Sequence, residues 1–182
     1  MEGPSDHDLM ARTAQGDGRA FRALAERHAG RALELARRIL GNGALAEDIV
    51  QDALLRVWTN APRWRPEAAF QTWLYRIVVN LCLNAKRRSP DLPLAAAEHV
   101  ADAAVAADDH LEARERDRRL AAAVDALPER QRAAVALSYQ EGLSNAEVAA
   151  VLDTSVSSVE TLLVRARRTL RAAFDDDFRR SA

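Results

Sequence analysis

The side chains best suited to chemistry share one stripe of a predicted helix, apart from its apolar stripe. Their spacings of three or four residues put them on one helix face: Trp73, Arg76, Asn80, Asn84 and Arg87. An aromatic ring can stack on a base, amides can bond base edges, and guanidinium groups can neutralise phosphates. The same helix carries four basic residues and no acid. This pattern indicates binding of single-stranded or opened nucleic acid. The alternative is a half-buried Trp73 beside a solvated basic helix end.

A second pattern predicts a helix-turn-helix near the C-terminus. Ser144 and Glu147 form a capping box before a short helix, residues 153–155 supply a turn, and a longer helix follows over about 156–174. An apolar stripe on the longer helix should face inward: Val156, Val159, Leu163, Ala166 and Leu170.

The other faces of that last helix carry hydroxyls and arginines: Ser157, Ser158, Thr161, Arg165 and Arg168. Hydroxyls at a helix start suit phosphate contacts, and arginines suit phosphates and guanine edges. These features favour duplex DNA binding. The alternative is an ordinary helical hairpin with a solvated arginine face.

A third pattern is an acidic face on the predicted helix 44–60. Asp48, Gln51, Asp52 and Leu55 recur at helical spacing, opposite an apolar stripe. An acidic face with a protruding leucine is unsuited to DNA but can dock a basic helix of a protein partner. The alternative is a solvated acidic surface.

Several functional classes find no support in the sequence. No phosphate-binding glycine loop, catalytic pairing or metal-ligand spacing is present, so we expect no active site, metal or cofactor. The lone Cys82 cannot form an internal disulfide. No apolar run is long enough to cross a bilayer, and the N-terminus lacks a signal peptide's apolar stretch. We therefore expect no membrane insertion and a cytoplasmic protein.

The fold class predicted from these periodicities is all-α, with two small helical domains. The first spans residues 5–90 and the second spans residues 113–174. Residues 91–112 carry six acids and no lysine or arginine, and they lack a sustained apolar stripe. That composition predicts a flexible acidic linker.

The chain resembles the extracytoplasmic-function (ECF) sigma factors of the sigma-70 family over nearly its whole length. Four stretches in the right order carry the resemblance: Ala46-Glu47-Asp48-Ile49-Val50-Gln51-Asp52 with Arg56-Val57-Trp58, Phe70-Gln71-Thr72-Trp73-Leu74-Tyr75-Arg76-Ile77-Val78-Val79-Asn80, Leu127-Pro128-Glu129-Arg130-Gln131-Arg132, and Glu141-Gly142-Leu143-Ser144 with Arg165-Ala166-Arg167. The resemblance implies a non-enzymatic transcription initiation factor. Its partners would be the RNA polymerase core (clamp helices and flap), promoter DNA and an anti-sigma factor.

The resemblance also implies residue roles. The polymerase core would be bound by Asp48, Gln51, Asp52, Leu55 and Trp58. The −10 element, opened to single strands, would be bound by Trp73, Arg76, Asn80, Asn84, Lys86, Arg87 and Arg88. The duplex −35 element would be read by Ser157, Ser158, Glu160, Thr161, Val164, Arg165 and Arg168.

One departure from the family pattern affects −35 recognition. Glu160 and Leu162 stand where many members carry a positive charge. A carboxylate repels phosphate but can accept from a cytosine amino group. Two other functions stay open at this level: an autonomous helix-turn-helix regulator, and a sigma mimic that titrates an anti-sigma factor.

Overall fold

A computed structural model describes residues 3–66, 69–88 and 118–180, with side chains as far as residue 172. Helices account for most of these residues, and no strand occurs among them. The predicted all-α class is therefore confirmed. The predicted acidic linker, residues 91–112, lies outside the described residues.

Four helices build the first domain: α1 (Asp6–Ala14), α2 (Gly18–Leu40), α3 (Gly43–Asn60) and α4 (Phe70–Arg88). Local capping sets their ends. Ser5 forms a capping box with Asp8 before α1, and Asp17 accepts two backbone N–H bonds at the start of α2. Gly41, at φ 66°, ends α2 in the left-handed conformation that glycine adopts at little cost.

α3 ends at Asn60, where the predicted helix 44–60 also ends. The chain continues without interruption into a 3₁₀ turn, Ala61–Arg63, with Pro62 in its first residues. Proline fits there because its missing N–H is not needed in a helix's first turn. The turn carries the chain over the end of α3 towards the start of α4.

In the second domain, α5 covers residues 118–125 of the described part, and α6 (Glu129–Val135), α7 (Asn145–Leu152) and α8 (Val156–Arg180) follow. The capping box of Ser144 and Glu147 is confirmed. After α6 the chain forms a π-helical turn over Ala136–Gln140. The predicted end of the last helix, near residue 174, was wrong, since α8 runs to Arg180.

The two domains pack against each other through α4 and α2. Helix α4 contacts α2 and α3 of its own domain and α7 of the second, and α2 contacts α6 and the π-helical turn that follows α6.

Of the apolar stripe predicted on α4, Phe70, Leu74 and Val78 are buried, while Ile77, Leu81 and Ala85 are half-buried. Three residues outside that stripe are buried as well: Tyr75, Val79 and Cys82. Tyr75 is buried because the second domain lies against its hydroxyl end. The apolar periodicity of α4 indicates the face that packs within its own domain. It does not predict that the face towards the second domain is buried as well.

Candidate nucleic-acid and polymerase interfaces

A surface pocket of about 600 Å³ lies where α3, the 3₁₀ turn and α4 meet. Trp73, Arg76 and Asn80, three residues of the predicted −10 set, line it together from α4. Their spacing of three and four residues puts them on one side of the helix. The pocket therefore brings an aromatic ring, a guanidinium group and an amide to one place, as the sequence pattern predicted.

The opposite wall of the pocket comes from residues that the sequence analysis did not select. Its members lie on the end of α3 and on the following turn: Arg56, Asn60, Arg63, Trp64 and Arg65. With Arg76, four arginines line the pocket, which suits an anionic backbone. The signal that could have found them is the density of tryptophan and arginine over residues 63–65.

Ring contacts fix the aromatic residues of the pocket. The ring centroids of Trp64 and Trp73 lie 6.5 Å apart, and those of Trp73 and Phe70 lie 6.1 Å apart. On the far side, the ring of His7 on α1 lies 5.7 Å from that of Trp64. These tilted arrangements are favourable for aromatic pairs. Both indoles are therefore held in place before any ligand arrives.

The N-terminal helix is itself tied to α2. Asp6 bonds Arg27 at 2.5 Å and the Nε2 atom of His28 at 2.8 Å. The buried ring of His28 lies 5.0 Å from Phe70 at the start of α4. Thus α1, outside the two stretches that predicted function in this domain, helps to hold the pocket wall.

The remaining predicted −10 residues lie further along α4. Asn84, Lys86, Arg87 and Arg88 are outside the pocket, towards the C-terminal end of the helix. Arg87 donates to the side-chain oxygen of Asn84. The cations extend a basic surface from the pocket, and they interact favourably with the negative end of the helix dipole.

The acidic face of α3 is exposed. Asp48 and Gln51 are exposed, and Leu55 keeps 59% of its surface accessible. Asp52 accepts two bonds from Arg56, at 3.1 and 3.2 Å, so its charge is partly compensated. Trp58 is half-buried and packs edge-on against Phe21, with centroids 5.2 Å apart. An exposed leucine among acids forms a surface that suits a basic partner helix.

The predicted −35 residues share the outer surface of α8. Six of them are exposed: Ser157, Glu160, Thr161, Val164, Arg165 and Arg168. Ser158 is half-buried, and its backbone N–H donates to Ser155, whose hydroxyl therefore caps the helix start. Val164 keeps 60% of its surface accessible, which places an apolar group among the polar ones.

Two details of α8 differ from the sequence analysis. Val156, assigned to the inward stripe, is 43% exposed because it stands at the first turn, before the helix meets α6 and α7. Leu162, which like Glu160 stands where many family members carry a positive charge, is half-buried and packs against the core. Of the two departures, only Glu160 has an exposed side chain.

Buried titratable groups are found away from these surfaces. Burial raises the pKa of Cys82 to about 12, so its thiol stays protonated and unreactive at neutral pH. Burial, and then the hydrogen bond to Glu141, raise the pKa of Tyr75 far above its ordinary value. Within the described ranges, no His, Cys, Asp and Glu cluster could hold a metal ion, and no helix is long and apolar enough to cross a membrane.

Comparison with known proteins matches both domains. Residues 24–90 match Sigma-70 region 2, and residues 117–170 match Sigma-70, region 4. The ECF RNA polymerase sigma factor SigM of Mycobacterium tuberculosis is 36% identical over 169 residues, which cover 91% of this chain and 83% of SigM. SigE of Mycolicibacterium smegmatis is 37% identical over 152 residues, 81% of this chain but 59% of SigE.

A solved structure supports the same relationship. CnrH, in complex with the cytosolic domain of CnrY, has a TM-score of 0.70 and 31% identity. The match covers 96% of this chain and 99% of CnrH.

The fold and the two matched regions define a transcription factor of the sigma-70 family. Within that family, the chain belongs to the ECF sigma factors. It is not an enzyme: it binds RNA polymerase and directs it to promoter DNA. Because region 2 and region 4 both match, the sigma function is preferred to an autonomous helix-turn-helix regulator.

Proposed function

We propose that the pocket beside Trp73 captures an unstacked base of the −10 element. The observation that carries this proposal is the convergence of Trp73, Arg76 and Asn80 with Trp64 in one pocket. Two indoles offer faces for a base, and Asn80 offers a donor and an acceptor for its edge. Lys86, Arg87 and Arg88 then hold the adjoining backbone.

The acidic face of α3 and the outer surface of α8 bind the polymerase core and the −35 element, respectively. The face of Asp48, Gln51, Asp52 and Leu55, with Trp58 at its edge, docks on the clamp helices of the polymerase core, while the second domain reaches its flap. The outer surface of α8 reads the duplex −35 element. It does so through three hydroxyl residues, two arginines and the side chains of Glu160 and Val164; the hydroxyl residues are Ser157, Ser158 and Thr161, and the arginines are Arg165 and Arg168. The domain limits that accompany this assignment are 5–90 and 113–174.

Control by an anti-sigma factor is part of the proposal. CnrH, which shares 31% identity with this chain, was solved with the cytosolic domain of CnrY. A protein that covers the acidic face of α3 would stop polymerase binding without touching DNA. The site of action is the cytoplasm, with nucleoid association when the factor is active. Affinity purification from unstressed cells should recover such a partner, and repeated failure would remove this part.

The base-capture role is tested with a promoter library randomised through the −10 element. Holoenzyme carrying Asn80→Ala should lose its base preference at one position and keep it elsewhere, because Asn80 lines the pocket and bonds only one base edge. Gln140→Ala, which removes an exposed amide in the second domain, serves as the control. A preference profile identical to that of the unsubstituted protein would overturn the assignment.

A further inference from the structure

Five aromatic rings form a continuous chain of contacts through the first domain, and the pocket lies at its middle. The chain runs from His28 on α2 through Phe70 and Trp73 on α4 to Trp64, and it ends at His7 on α1. Successive ring centroids lie 5.0, 6.1, 6.5 and 5.7 Å apart, and the rings are tilted by between 55° and 59°. Such arrangements are favourable for aromatic pairs. The two indoles of the pocket therefore belong to a longer chain whose ends lie outside it.

Two adjacent residues of α1 close this chain into a loop. One carboxylate oxygen of Asp6 lies 2.8 Å from Nε2 of His28, at one end of the chain. The ring of the next residue, His7, contacts Trp64 at the other end. The second carboxylate oxygen of Asp6 accepts from Arg27 at 2.5 Å. The first turn of α1 is thus fixed on α2, and from that position it reaches the wall of the pocket.

Trp64 is the ring of the chain whose orientation depends most on such contacts. It lies after the 3₁₀ turn, outside any helix, and its backbone N–H donates to the carbonyl of Ala61 at 3.1 Å. Its indole Nε1 atom is buried and donates to no acceptor among the described residues. A buried indole N–H usually has a partner that fixes the angle of the ring. Here packing has to fix that angle, and His7 and Trp73 supply the ring contacts.

His7 is not needed to hold α1 in the fold. The side chain is exposed, whereas Leu9 and Met10 of the same helix are buried in the core. The imidazole forms no hydrogen bond within the part of the chain that the structure describes, so its contact with Trp64 is one of ring against ring. The contact therefore acts on the pocket wall rather than on the packing of the domain.

We propose that His7 is a positioning residue of the pocket, which holds the indole of Trp64 at the angle that receives an unstacked base. The proposal rests on the assignment of the pocket to −10 DNA. His7 does not line the pocket, so it acts through Trp64 and not by touching the base. A site that is correctly formed only part of the time binds more weakly by that fraction. Loss of the His7 ring should therefore weaken base capture, while the surfaces on α3 and α8 are unaffected.

The variants separate the ring from its charge and from α1 itself. His7→Ala removes the ring, and His7→Phe keeps a ring that cannot be protonated. Because the contact is one of ring against ring, phenylalanine should restore what alanine loses. Gln15→Ala, at an exposed amide that follows the last turn of α1, is the matched control on the same helix.

The orientation of Trp64 is measured by fluorine NMR of the full chain labelled with 5-fluorotryptophan. The chain has three tryptophans, so each resonance is assigned by replacing one tryptophan with phenylalanine. His7→Ala should shift and broaden the resonance of Trp64 and leave that of Trp58, which packs against Phe21, in place. Gln15→Ala should leave all the resonances unchanged. An unchanged Trp64 resonance in His7→Ala would overturn the proposal.

The functional test uses holoenzyme and the promoter library randomised through the −10 element. His7→Ala should weaken the base preference about threefold at one position, the position at which Asn80→Ala loses it, because one aromatic contact is lost. His7→Phe should keep the preference. Affinity for the polymerase core, measured by fluorescence titration, should be equal for all variants. A loss spread evenly over the element, or weaker core binding, would indicate a merely structural role and overturn the proposal.

Asn80→Ala in the same library separates failure of this proposal from failure of the function on which it rests. If Asn80→Ala loses its preference at one position and His7→Ala keeps the full preference there, the positioning role fails and base capture stands. If Asn80→Ala has the profile of the unsubstituted protein, base capture fails, and the positioning role of His7 fails with it. The fluorine spectra then still report whether His7 fixes the ring of Trp64.

Discussion

The indole rings of Trp64 and Trp73 lie 6.5 Å apart, at an angle of 55°, and both line the same pocket. The two residues reach this arrangement from different elements, since Trp64 follows the 3₁₀ turn and Trp73 lies on α4. Their contact joins the turn to the helix and gives the pocket two aromatic walls. The assignment of −10 binding to this pocket leads to the first prediction.

Trp73→Ala should reduce transcription from duplex promoters by about tenfold or more, because base stacking on an aromatic side chain contributes about 1–3 kcal/mol. The measurement is run-off transcription with polymerase core. A promoter already unpaired through the −10 element should restore part of the loss. The exposed Tyr139, substituted by alanine, controls for loss of an aromatic group elsewhere. Equal activity of the Trp73 variant and the unsubstituted protein on duplex DNA would contradict this role.

Leu55→Ala should weaken binding of the polymerase core by about fivefold to tenfold, since a protruding apolar side chain at an interface centre contributes more than the charges around it. The side chain is 59% exposed, so the fold should be unaffected. Leu120→Ala, at a leucine 44% exposed in the second domain, is the matched control. Fluorescence titration with core polymerase measures both. If the two substitutions have equal effects, the acidic face of α3 is not the docking surface.

Glu160→Lys should strengthen binding to −35 duplex DNA and relax its sequence choice. The residue is exposed on the outer surface of α8, where a carboxylate repels phosphates and a lysine attracts them. A gain of about one phosphate contact should also steepen the dependence of affinity on salt. Gel-shift titrations at two salt concentrations, with Glu26→Lys as control, measure the change. Unchanged affinity would show that Glu160 does not face DNA.

Ser144→Ala should lower the free energy of unfolding by about 1 kcal/mol, because the capping box at the start of α7 is lost. Hydrogen bonds from Ser144 hold the pKa of Glu147 below its ordinary value of 4.5. A carboxyl group with a lowered pKa in the folded state stabilises the protein above its ordinary pKa, and the contribution is lost as the pH falls.

The stability difference between Ser144→Ala and the unsubstituted protein should therefore shrink as the pH is lowered through 4.5 and below. Urea denaturation followed by circular dichroism measures it. Thr169→Ala removes an exposed hydroxyl within α8 and should change stability little at either pH. A difference that is constant with pH would exclude the contribution of the Glu147 carboxylate.

Local rules predicted most of the helices. Of the apolar stripe predicted on α4, Phe70, Leu74 and Val78 were predicted correctly as buried. The cap at Ser144 depends on neighbouring residues and was predicted correctly. The π-helical turn Ala136–Gln140 was not, because no residue type requires it. The burial of Tyr75 was also missed, since it depends on contact with a domain whose docking leaves no periodic signal on α4.

The residues of the candidate site likewise fall into those that the sequence predicted and those that it missed. The sequence selected Trp73, Arg76 and Asn80 because helical spacing places them together, and they line one pocket. The opposite wall was missed because Trp64 and Arg65 lie after the 3₁₀ turn, outside any helix, where no period indicates which side chains converge. The three-dimensional path of the chain after α3 supplies that information.

The most direct test of sigma activity is run-off transcription with purified polymerase core on a library of genomic promoter fragments, with and without this protein. Discrete transcripts that depend on the protein are predicted, and their upstream sequences should share a −35 and a −10 element. Absence of such transcripts, together with no binding of the core in a pull-down, would contradict the account.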